Sequence, residues 1–354
     1  MKQNEEGGKS MLKRFMSVIL CMAIMCSGMM FPNQSAHADP EIGNVYYVDS
    51  FSGSDDNDGK SEENAWQTLD MPNATVFQPG DKILFKSGGI WNGQLRPLGS
   101  GAEGHPIIID KYGSGDKPII NGNGTMGETV LKESGTVMLV DQEYWEINNL
   151  EVTNFSDTVI SSRVGILTVS NSTYKNHIYI RNNYVHDVNS HWNGSKVTGG
   201  IIILGVGGFH DVLVENNHVK NVAIEGIRTA NGSGRVNKDV VIRNNYIEEV
   251  LGDGIVLTSI AQGGLVENNV VKNFANTYVG SRNYAGIWSF VADNTVFQYN
   301  EAFGGKYGFN DGEGYDIDMN CYNSLFQYNY SHNNRGGFAL FMGSSQKSVF
   351  RYNV

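Results

Sequence analysis

The feature that most constrains the fold of this chain is a short segment that recurs along it. The copies read "YWEINNLEVTNF" from residue 144, "HIYIRNNYVHDV" from 177, "DVLVENNHVKNV" from 211, "DVVIRNNYIEEV" from 239, "GGLVENNVVKNF" from 263, "NTVFQYNEAFGG" from 294, "NSLFQYNYSHNN" from 323 and "KSVFRYNV" from 347. Each copy is aligned on one asparagine: Asn149, Asn183, Asn217, Asn245, Asn269, Asn300, Asn329 and Asn353. A unit this short cannot bury its apolar side alone, so the units must stack.

The residues within each copy indicate short strands and not helices. Apolar and polar residues alternate, Gly and Asn mark the turns, and helical periodicity is nearly absent. Stacked coils lie about 4.8 Å apart, so equivalent residues form columns, and the asparagines are predicted to form an internal ladder. One column is apolar and predicted to be core: Ile180, Val214, Ile242, Val266, Phe297, Phe326 and Phe350. The next is predicted to be a solvated face: Arg181, Glu215, Arg243, Glu267, Gln298, Gln327 and Arg351.

With this repeat, residues 140–354 resemble the right-handed parallel β-helix proteins of the pectate-lyase-like superfamily. The resemblance implies an all-β, single-stranded, right-handed parallel β-helix in a secreted carbohydrate-active protein. It does not specify an activity, because the same repeat supports lyases, hydrolases, epimerases and adhesins.

The segment before the repeats resembles the N-terminal coil and cap of secreted polysaccharide-degrading β-helix enzymes. Residues 39–125 are therefore predicted to form the cap and first coils, with one short helix between Trp66 and Phe77, and residues 126–354 the β-helix repeats. A cap is needed because an open end would expose apolar residues and strand edges. The chain stops at Val354 inside a repeat, which favours a truncated C-terminal end.

The first residues have the pattern of a secretory signal peptide. Lys13 and Arg14 precede an apolar run, and "AHA" at 36–38 closes it, so residues 1–38 are predicted to be removed before Asp39. The mature protein is then expected to be extracellular and monomeric, without a membrane anchor. Cys321 remains as the single cysteine, which excludes an intrachain disulfide.

The charge balance argues against some partners. Residues 1–38 contain four basic and two acidic residues, so the mature chain has 26 − 4 = 22 basic and 37 − 2 = 35 acidic residues, a charge of −13. Nucleic acid and anionic membranes are therefore not expected as main partners. A polysaccharide, even an acidic one, is compatible with this charge.

A second column follows each asparagine turn and is predicted to carry the functional face. Period-two alternation points one set of side chains outward: Ile202, Arg228, Val256, Trp288, Asp318 and Ala339. The inward set is Ile201, Ile227, Ile255, Ile287, Ile317 and Phe338. Asp316 shares the outward side with Asp318, in a place where other copies have Gly. Two long loops, 270–285 and 301–315, flank these coils, and long excursions from a rigid solenoid usually form binding walls.

This face supplies the candidate site residues. The predicted catalytic residues are Asp316, Asp318, Lys306 and Arg228, and the predicted substrate-binding residues are Trp288, Trp192, Glu225, Asp253, Asp311 and Glu313. Aromatic rings stack on the apolar faces of sugars, and charged groups bind hydroxyls or act on the scissile bond. No motif of a known hydrolase or lyase accompanies these residues, so the assignment rests on column position.

Three interpretations of the acidic cluster stay open. In a hydrolase, Asp316 and Asp318 would flank the glycosidic bond, and their Cα separation of roughly 6.5–7 Å is nearer an inverting geometry. In a lyase, carboxylates would hold Ca²⁺ and Lys306 or Arg228 would abstract a proton; the metal ligands are not specified by the sequence. In the third, the cluster is a solvated surface turn. The sequence thus predicts a secreted polysaccharide-degrading enzyme, a glycoside hydrolase or polysaccharide lyase, with a non-catalytic glycan-binding or adhesion β-helix as the alternative.

Overall fold

The computed structural model describes residues 43–124, 134–158, 162–190, 196–230, 234–276, 283–306 and 311–354. The predicted signal peptide and Trp192 lie outside this part of the chain. The predicted boundary between cap and repeats, at residues 125 and 126, also lies outside it and stays a prediction. In the described residues, no helix is long and apolar enough to cross a membrane.

The described residues form one short helix and many short strands. The N-terminal elements are β1 (Val45–Val48), α1 (Asp70–Ala74), β2 (Val76–Phe77), β3 (Lys82–Lys86), β4 (Ile90–Asn92), β5 (Leu98–Gly99), β6 (Ile107–Tyr112), β7 (Ile119–Asn121), β8 (Gly135–Val140), β9 (Trp145–Asn148) and β10 (Glu151–Asn154). The central strands are β11 (Val164–Ser170), β12 (Lys175–Arg181), β13 (Tyr184–Val188), β14 (Gly199–Gly205), β15 (Phe209–Glu215), β16 (His218–Val222), β17 (Glu225–Ala230), β18 (Asn237–Arg243), β19 (Tyr246–Val250) and β20 (Asp253–Glu267). The C-terminal strands are β21 (Val270–Lys272), β22 (Ile287–Ala292), β23 (Thr295–Gln298), β24 (Glu301–Phe303), β25 (Tyr315–Ile317), β26 (Leu325–Gln327), β27 (Tyr330–His332), β28 (Ala339–Phe341) and β29 (Val349–Arg351).

Apart from β2 and β5, which pair with each other, the strands stack in three parallel rows. Row 1 runs β8, β11, β14, β17, β20, β22, β25 and β28. Row 2 runs β1, β3, β6, β9, β12, β15, β18, β20, β23, β26 and β29, so the long strand β20 belongs to both rows. Row 3 runs β4, β7, β10, β13, β16, β19, β21, β24 and β27. From β8 to β27 each coil contributes strand residues to all three rows, which is the predicted solenoid.

The apolar column of row 2 has the predicted register. Ile180 pairs with Val214, which pairs with Ile242, and the series continues to Phe350. From Ile180 to Phe326 these side chains are fully buried. The adjacent charged column is also in register, with Arg243 Nε donating to Glu215 Oε1 at 2.5 Å. Row 2 therefore has one core face and one solvated face, as the alternation predicted.

The asparagine ladder runs at the turn between rows 2 and 3. The Nδ2 group of each member donates to the Oδ1 atom of the next at 2.9–3.0 Å, from Asn183 through to Asn353. The prediction was wrong for Asn149, because the ladder place in that coil is held by Leu150, whose backbone N–H donates to Asn183 Oδ1 at 3.0 Å. Asn149 has a φ of 57° and instead bonds Asp110. The ladder provides internal partners for buried amides that would otherwise cost free energy.

The N-terminal helix is shorter than predicted. It spans only Asp70–Ala74, because the backbone on either side is taken by strand pairing. Trp66 N–H donates to Tyr47 at 2.9 Å, and Val76–Phe77 pairs with Leu98–Gly99. Trp66 and Phe77 are nonetheless buried in the first coils, so this segment contributes side chains to the N-terminal core.

Candidate active site

The register of row 1 differs from the sequence prediction at β25. Trp288 pairs with Asp316, and Asp316 with Leu340, so the prediction that Asp318 and Ala339 share the Trp288 column was wrong by two residues for Asp318 and by one for Ala339. The inward place opposite Ile287 is filled by Tyr315, not Ile317. Tyr315 is fully buried, and its hydroxyl donates to the Asn300 carbonyl at 2.7 Å. An aromatic core residue that can satisfy its hydroxyl fixes this register.

The same shift in register changes which residue of this coil takes the place that is glycine in other copies. Gly314, and not Asp316, follows Gly286 in the stack, since a Cβ built on Gly286 would lie 2.5 Å from the Gly314 carbonyl oxygen. Phe338 correspondingly lies one place before the inward position, which Ala339 takes. Asp316 is therefore directly beside Trp288 on the outer side of row 1, and Asp318 follows it two residues later on the same side.

A cavity of about 140 Å³ opens at this point of row 1. Three aspartates, an aromatic ring and a lysine meet there with apolar side chains from the next coil. The lining residues are Lys196, Asn283, Ala285, Trp288, Asp311, Asp316, Asp318, Met319, Leu340 and Met342. Of the ten residues predicted for the site, Asp311, Asp316, Asp318 and Trp288 thus line one cavity.

Four other predicted residues, Glu225, Asp253, Arg228 and Glu313, belong to row 1 and its loops but do not line the cavity. Glu225 pairs with Asp253 in the adjacent strand, and both are fully buried. Arg228 Nη1 donates to Glu225 Oε1 at 3.2 Å. Glu313 is 3% exposed, and its backbone carbonyl accepts from Gly286 N–H at 3.0 Å. These residues form the buried surroundings of the cavity.

Lys306 is not among the residues that line the cavity. Its side chain is exposed, and its Nζ atom lies 3.8 Å from Glu249 Oε2, a residue of β19 in row 3. Its role as a catalytic base therefore has no support in the geometry. Trp192 lies outside the described residues, so its role as a sugar contact stays a prediction.

Trp288 forms a wall of the cavity and does not offer an open platform. It is only 7% exposed and packs with Val256, Ala285 and Phe290. The Lys196 ammonium lies 5.2 Å from one of its ring centroids, and the Arg228 guanidinium lies 5.6 Å away. Cations at these distances are attracted by the ring face, so they limit stacking by a ligand.

Lys196 is the functional candidate that sequence reasoning missed. Its Nζ atom donates to Asp253 Oδ2 at 3.0 Å and to the Asn283 carbonyl, and it lies 4.7 Å from the Tyr284 ring centroid. It precedes β14 at the end of a long loop, where no column pattern applies. The one feature of the sequence that could have indicated it is its position in the first long loop, between β13 and β14.

Burial controls the protonation of the carboxyl groups. Desolvation, followed by the charges of Asp318, Glu313 and Asp311, raises the pKa of Asp316 to about 9. Desolvation likewise raises the pKa of Glu313 to about 8. Burial also raises the pKa of Asp311 and that of Asp318, and in both cases the Lys196 charge opposes the rise. At neutral pH the cluster therefore contains protonated carboxyls next to others that are closer to ionisation.

Several buried polar atoms around the cavity lack a hydrogen-bond partner in the described protein. They are Glu225 Oε2, Arg228 Nε, Trp288 Nε1, Glu313 Oε1 and Asp316 Oδ1. A buried polar group left unpaired costs about 1–3 kcal/mol, so folded proteins rarely gather them without a use. Such a gathering is typical of a site that receives a polar ligand or water.

The described residues do not contain a group of three or more His, Cys, Asp or Glu arranged to hold a metal ion. The calcium site expected for a lyase therefore has no assigned ligands and stays a prediction.

Comparisons with known proteins agree with this fold. The family model described as "Right handed beta helix region" matches residues 120–283. The chain is a right-handed parallel β-helix. In an alignment of 413 residues, it is 29% identical to a lacto-N-biosidase of Bifidobacterium longum subsp. longum. The match covers 88% of this chain and 26% of the relative.

A solved structure has the same architecture. The chain superimposes on the crystal structure of a GH136 lacto-N-biosidase from Eubacterium ramulus with a TM-score of 0.77 and 26% identity. The match covers 88% of this chain and 60% of that chain, so this β-helix spans only part of the length of either relative. The predicted right-handed parallel β-helix fold and its resemblance to carbohydrate-active proteins are therefore confirmed.

Proposed function

We propose that this β-helix is the catalytic part of a secreted glycoside hydrolase that cleaves a neutral oligosaccharide in the cavity of row 1. The observation that carries the proposal is the cluster of Asp311, Asp316 and Asp318 around one 140 Å³ cavity. Glycoside hydrolysis requires one protonated carboxyl and one ionised carboxylate on the two sides of the scissile bond. A site with protonated and ionisable carboxyls together meets that requirement.

Exposure suggests how the roles divide. Asp311 and Asp318 are partly exposed, so both can reach a bound sugar, whereas Asp316 is 5% exposed. Asp318 Oδ1 accepts the Met319 backbone N–H at 2.6 Å, which favours its ionised form. We assign Asp318 as the carboxylate, Asp311 as the general acid, and Asp316 as a buried, protonated carboxyl that hydrogen-bonds the substrate or its neighbours.

The charges of the site favour hydrolysis over elimination. A lyase needs a free cationic base and must neutralise a uronate carboxylate. Lys196 and Arg228 are each paired with a buried carboxylate, at 3.0 and 3.2 Å. The lining carries three aspartates and one lysine, so it offers no excess of positive charge to bind an anionic sugar. Both relatives are lacto-N-biosidases by name, so a glycan containing lacto-N-biose is the first substrate to test.

The experiment is digestion of a glycan panel that contains neutral and uronate substrates, with product analysis. Asp311→Asn and Asp318→Asn should each abolish cleavage of natural glycans. With an activated aryl glycoside, Asp311→Asn should regain activity because a good leaving group needs little protonation, and Asp318→Asn should not. Asp239→Asn is the matched control, since Asp239 is exposed on row 2 and bonds His210 at 2.9 Å.

Other outcomes would contradict the proposal. Products absorbing as unsaturated uronates, with activity lost on addition of EDTA, would indicate a calcium-dependent lyase. Binding of a glycan without cleavage in any condition would favour the non-catalytic adhesion alternative. The inverting outcome predicted from the spacing of Asp316 and Asp318 applies to that pair alone. The anomeric configuration of the first product, followed by proton NMR, shows whether the assigned pair, Asp311 and Asp318, inverts or retains it.

Location and assembly belong to the same proposal. The signal-peptide pattern of residues 1–38 supports export, and the polar outer column of row 2 supports a monomer. N-terminal sequencing of secreted protein and light scattering in solution test these two points.

A further inference from the structure

Lys196 lies in the loop before β14, outside the columns of equivalent residues that the repeat forms. Among the described residues that line the cavity, it alone is basic. Its side chain is 19% exposed, and its partner Asp253 is fully buried. The Asn283 carbonyl also accepts from Nζ, and the Tyr284 and Trp288 rings lie 4.7 and 5.2 Å from it. The ammonium group is thus held at a fixed point of the cavity wall.

Many acidic groups surround that single ammonium. Those that face the cavity or act on its carboxyls come from β17, β20, β25 and the loops on either side of β25: Glu225, Asp253, Asp311, Glu313, Asp316 and Asp318. Within the part of the chain that the structure describes, the one other cation nearby is Arg228, which is paired with Glu225. Like charges this close cannot all ionise, so the position of one cation decides which of them does.

Lys196 is placed to make that choice. Its charge favours the ionised forms of Asp311, Asp318 and Glu225, whereas burial and the charges of Asp318, Glu313 and Asp311 disfavour ionisation of Asp316. Asp318 also receives the Met319 N–H, so backbone and ammonium act on the same carboxyl. The buried Oδ1 atom of Asp316, one coil beyond Trp288, accepts no hydrogen bond from the described residues.

We infer that Lys196 is a positioning residue of the hydrolytic site: fixed by Asp253 on the wall of the cavity that Asp318 also lines, its ammonium keeps Asp318 ionised while the more deeply buried Asp316 holds a proton. This rests on the proposed function, since Asp318 is the proposed carboxylate. Lys196 need not touch the substrate for this role, because it acts through charge.

The test compares Lys196→Met, Lys196→Gln and Lys196→Arg with the parent protein over pH 4–9. Activity that needs ionised Asp318 falls as pH drops through the pKa of that group. Removing the cation raises this pKa, so the acidic limb of the kcat/KM profile should move up by about 1 pH unit in the Met and Gln variants. The Arg variant keeps the charge and should restore the parent limb.

The Gln variant separates charge from hydrogen bonding. It can still donate to Asp253, so a parent-like acidic limb in Lys196→Gln would overturn the inference, as would an unchanged limb in Lys196→Met. Lys272→Met is the matched control, because Lys272 also pairs with a carboxylate, Glu248 at 3.3 Å, but lies in row 3. It should leave the profile unchanged.

A second readout does not depend on activity. In protein labelled with ¹³C at the aspartate carboxyl, the Asp318 signal is assigned with Asp318→Asn, and its titration is followed in the parent and in Lys196→Gln. A pKa of Asp318 that is about 1 unit higher in Lys196→Gln supports the inference even if no glycan in the panel is cleaved. An unchanged pKa of Asp318 overturns it. Failure of the proposed function would be seen separately, as a missing activity or as an active Asp318→Asn variant.

Discussion

Two lines of buried polar side chains run along this β-helix, and they differ in how their hydrogen bonds are satisfied. The asparagine ladder gives each amide partners in the coils on both sides, for example Asn245 with Asn217 and Asn269. The acidic cluster of row 1 leaves atoms such as Glu313 Oε1 and Asp316 Oδ1 without a protein partner. Glu313 and Asp316 are 3% and 5% exposed and Asn245 is 2% exposed, so the difference between cluster and ladder is not one of burial.

The difference separates a structural use of polarity from a functional one. A fully satisfied polar network adds specificity to the fold at little cost. A partly satisfied one costs stability unless something else occupies it. The row 1 cluster is therefore expected to lose activity when altered and to keep or gain stability, whereas the ladder is expected to lose stability.

The largest effect is expected for Asp318→Asn. Loss of the proposed carboxylate should reduce kcat on a cleavable glycan by about 10³-fold or more, while thermal unfolding stays within about 1 kcal/mol of the parent. Steady-state kinetics and calorimetry on the same sample measure both. A variant that unfolds without losing specific activity would make Asp318 structural and remove the contrast with the ladder.

Asn245→Ala should have the opposite outcome. Its Oδ1 atom accepts from Asn217, and its Nδ2 group donates to the Val214 carbonyl and to Asn269 Oδ1. Alanine leaves these buried groups unpaired, so the free energy of unfolding should fall by about 2–4 kcal/mol. Denaturant titration measures the loss. A change below about 1 kcal/mol would show that water replaces the amide and that the ladder is not a stabilising network.

Asp316→Asn should change how stability depends on pH. In the folded protein the pKa of Asp316 is raised to about 9, above its unfolded value of about 3.9. Between these values the unfolded state has lost the proton and the folded state keeps it, so the parent loses stability as pH rises. Asparagine does not titrate, so the free energy of unfolding of the variant, relative to that of the parent, should rise by at least about 1 kcal/mol between pH 4 and pH 8. A stability difference that is constant over this range would contradict the protonated state of Asp316.

Glu215→Gln is expected to have the smallest effect on stability and serves as a reference for the other substitutions. Glu215 pairs with Arg243 on the solvated side of row 2, where the arginine side chain is 40% exposed. Exposed ion pairs contribute about 0–1 kcal/mol, so unfolding should change by less than about 0.5 kcal/mol. A larger loss in denaturant titration would mean that this column stabilises the stack as the ladder does.

The sequence was sufficient for the fold wherever one unit repeats in the same way. The register of the apolar column from Ile180 to Phe350 follows from the repeat alone, because each member occupies the same place in its copy. The error at Asn149 arose where the earliest copy is weak: the two asparagines of "INNL" come one place earlier after Ile147 than those of "IRNN" after Ile180. The pairing of the strands and the hydrogen bond from Leu150 to Asn183 identify the ladder place.

The error at β25 has a more general cause. In "YDIDMN" a slip of two residues keeps every side chain on its predicted side, so period-two alternation cannot detect it. The size of Tyr315 and the bond from its hydroxyl to Asn300 select the register. The sequence therefore indicated that Asp316 and Asp318 share the outer side, and only the pairing of β22 with β25 showed which one lies next to Trp288.

By itself the sequence determined a stack of parallel coils with an internal amide ladder, because apolar and asparagine places that recur in every unit leave few other ways to bury them. The tertiary structure decided which charges meet. Lys196 and Asp253 are 57 residues apart and belong to no shared pattern, yet they lie 3.0 Å apart in the cavity wall. Loops outside the repeat have no periodic constraint, so their contacts are fixed only when the coils that carry them have stacked.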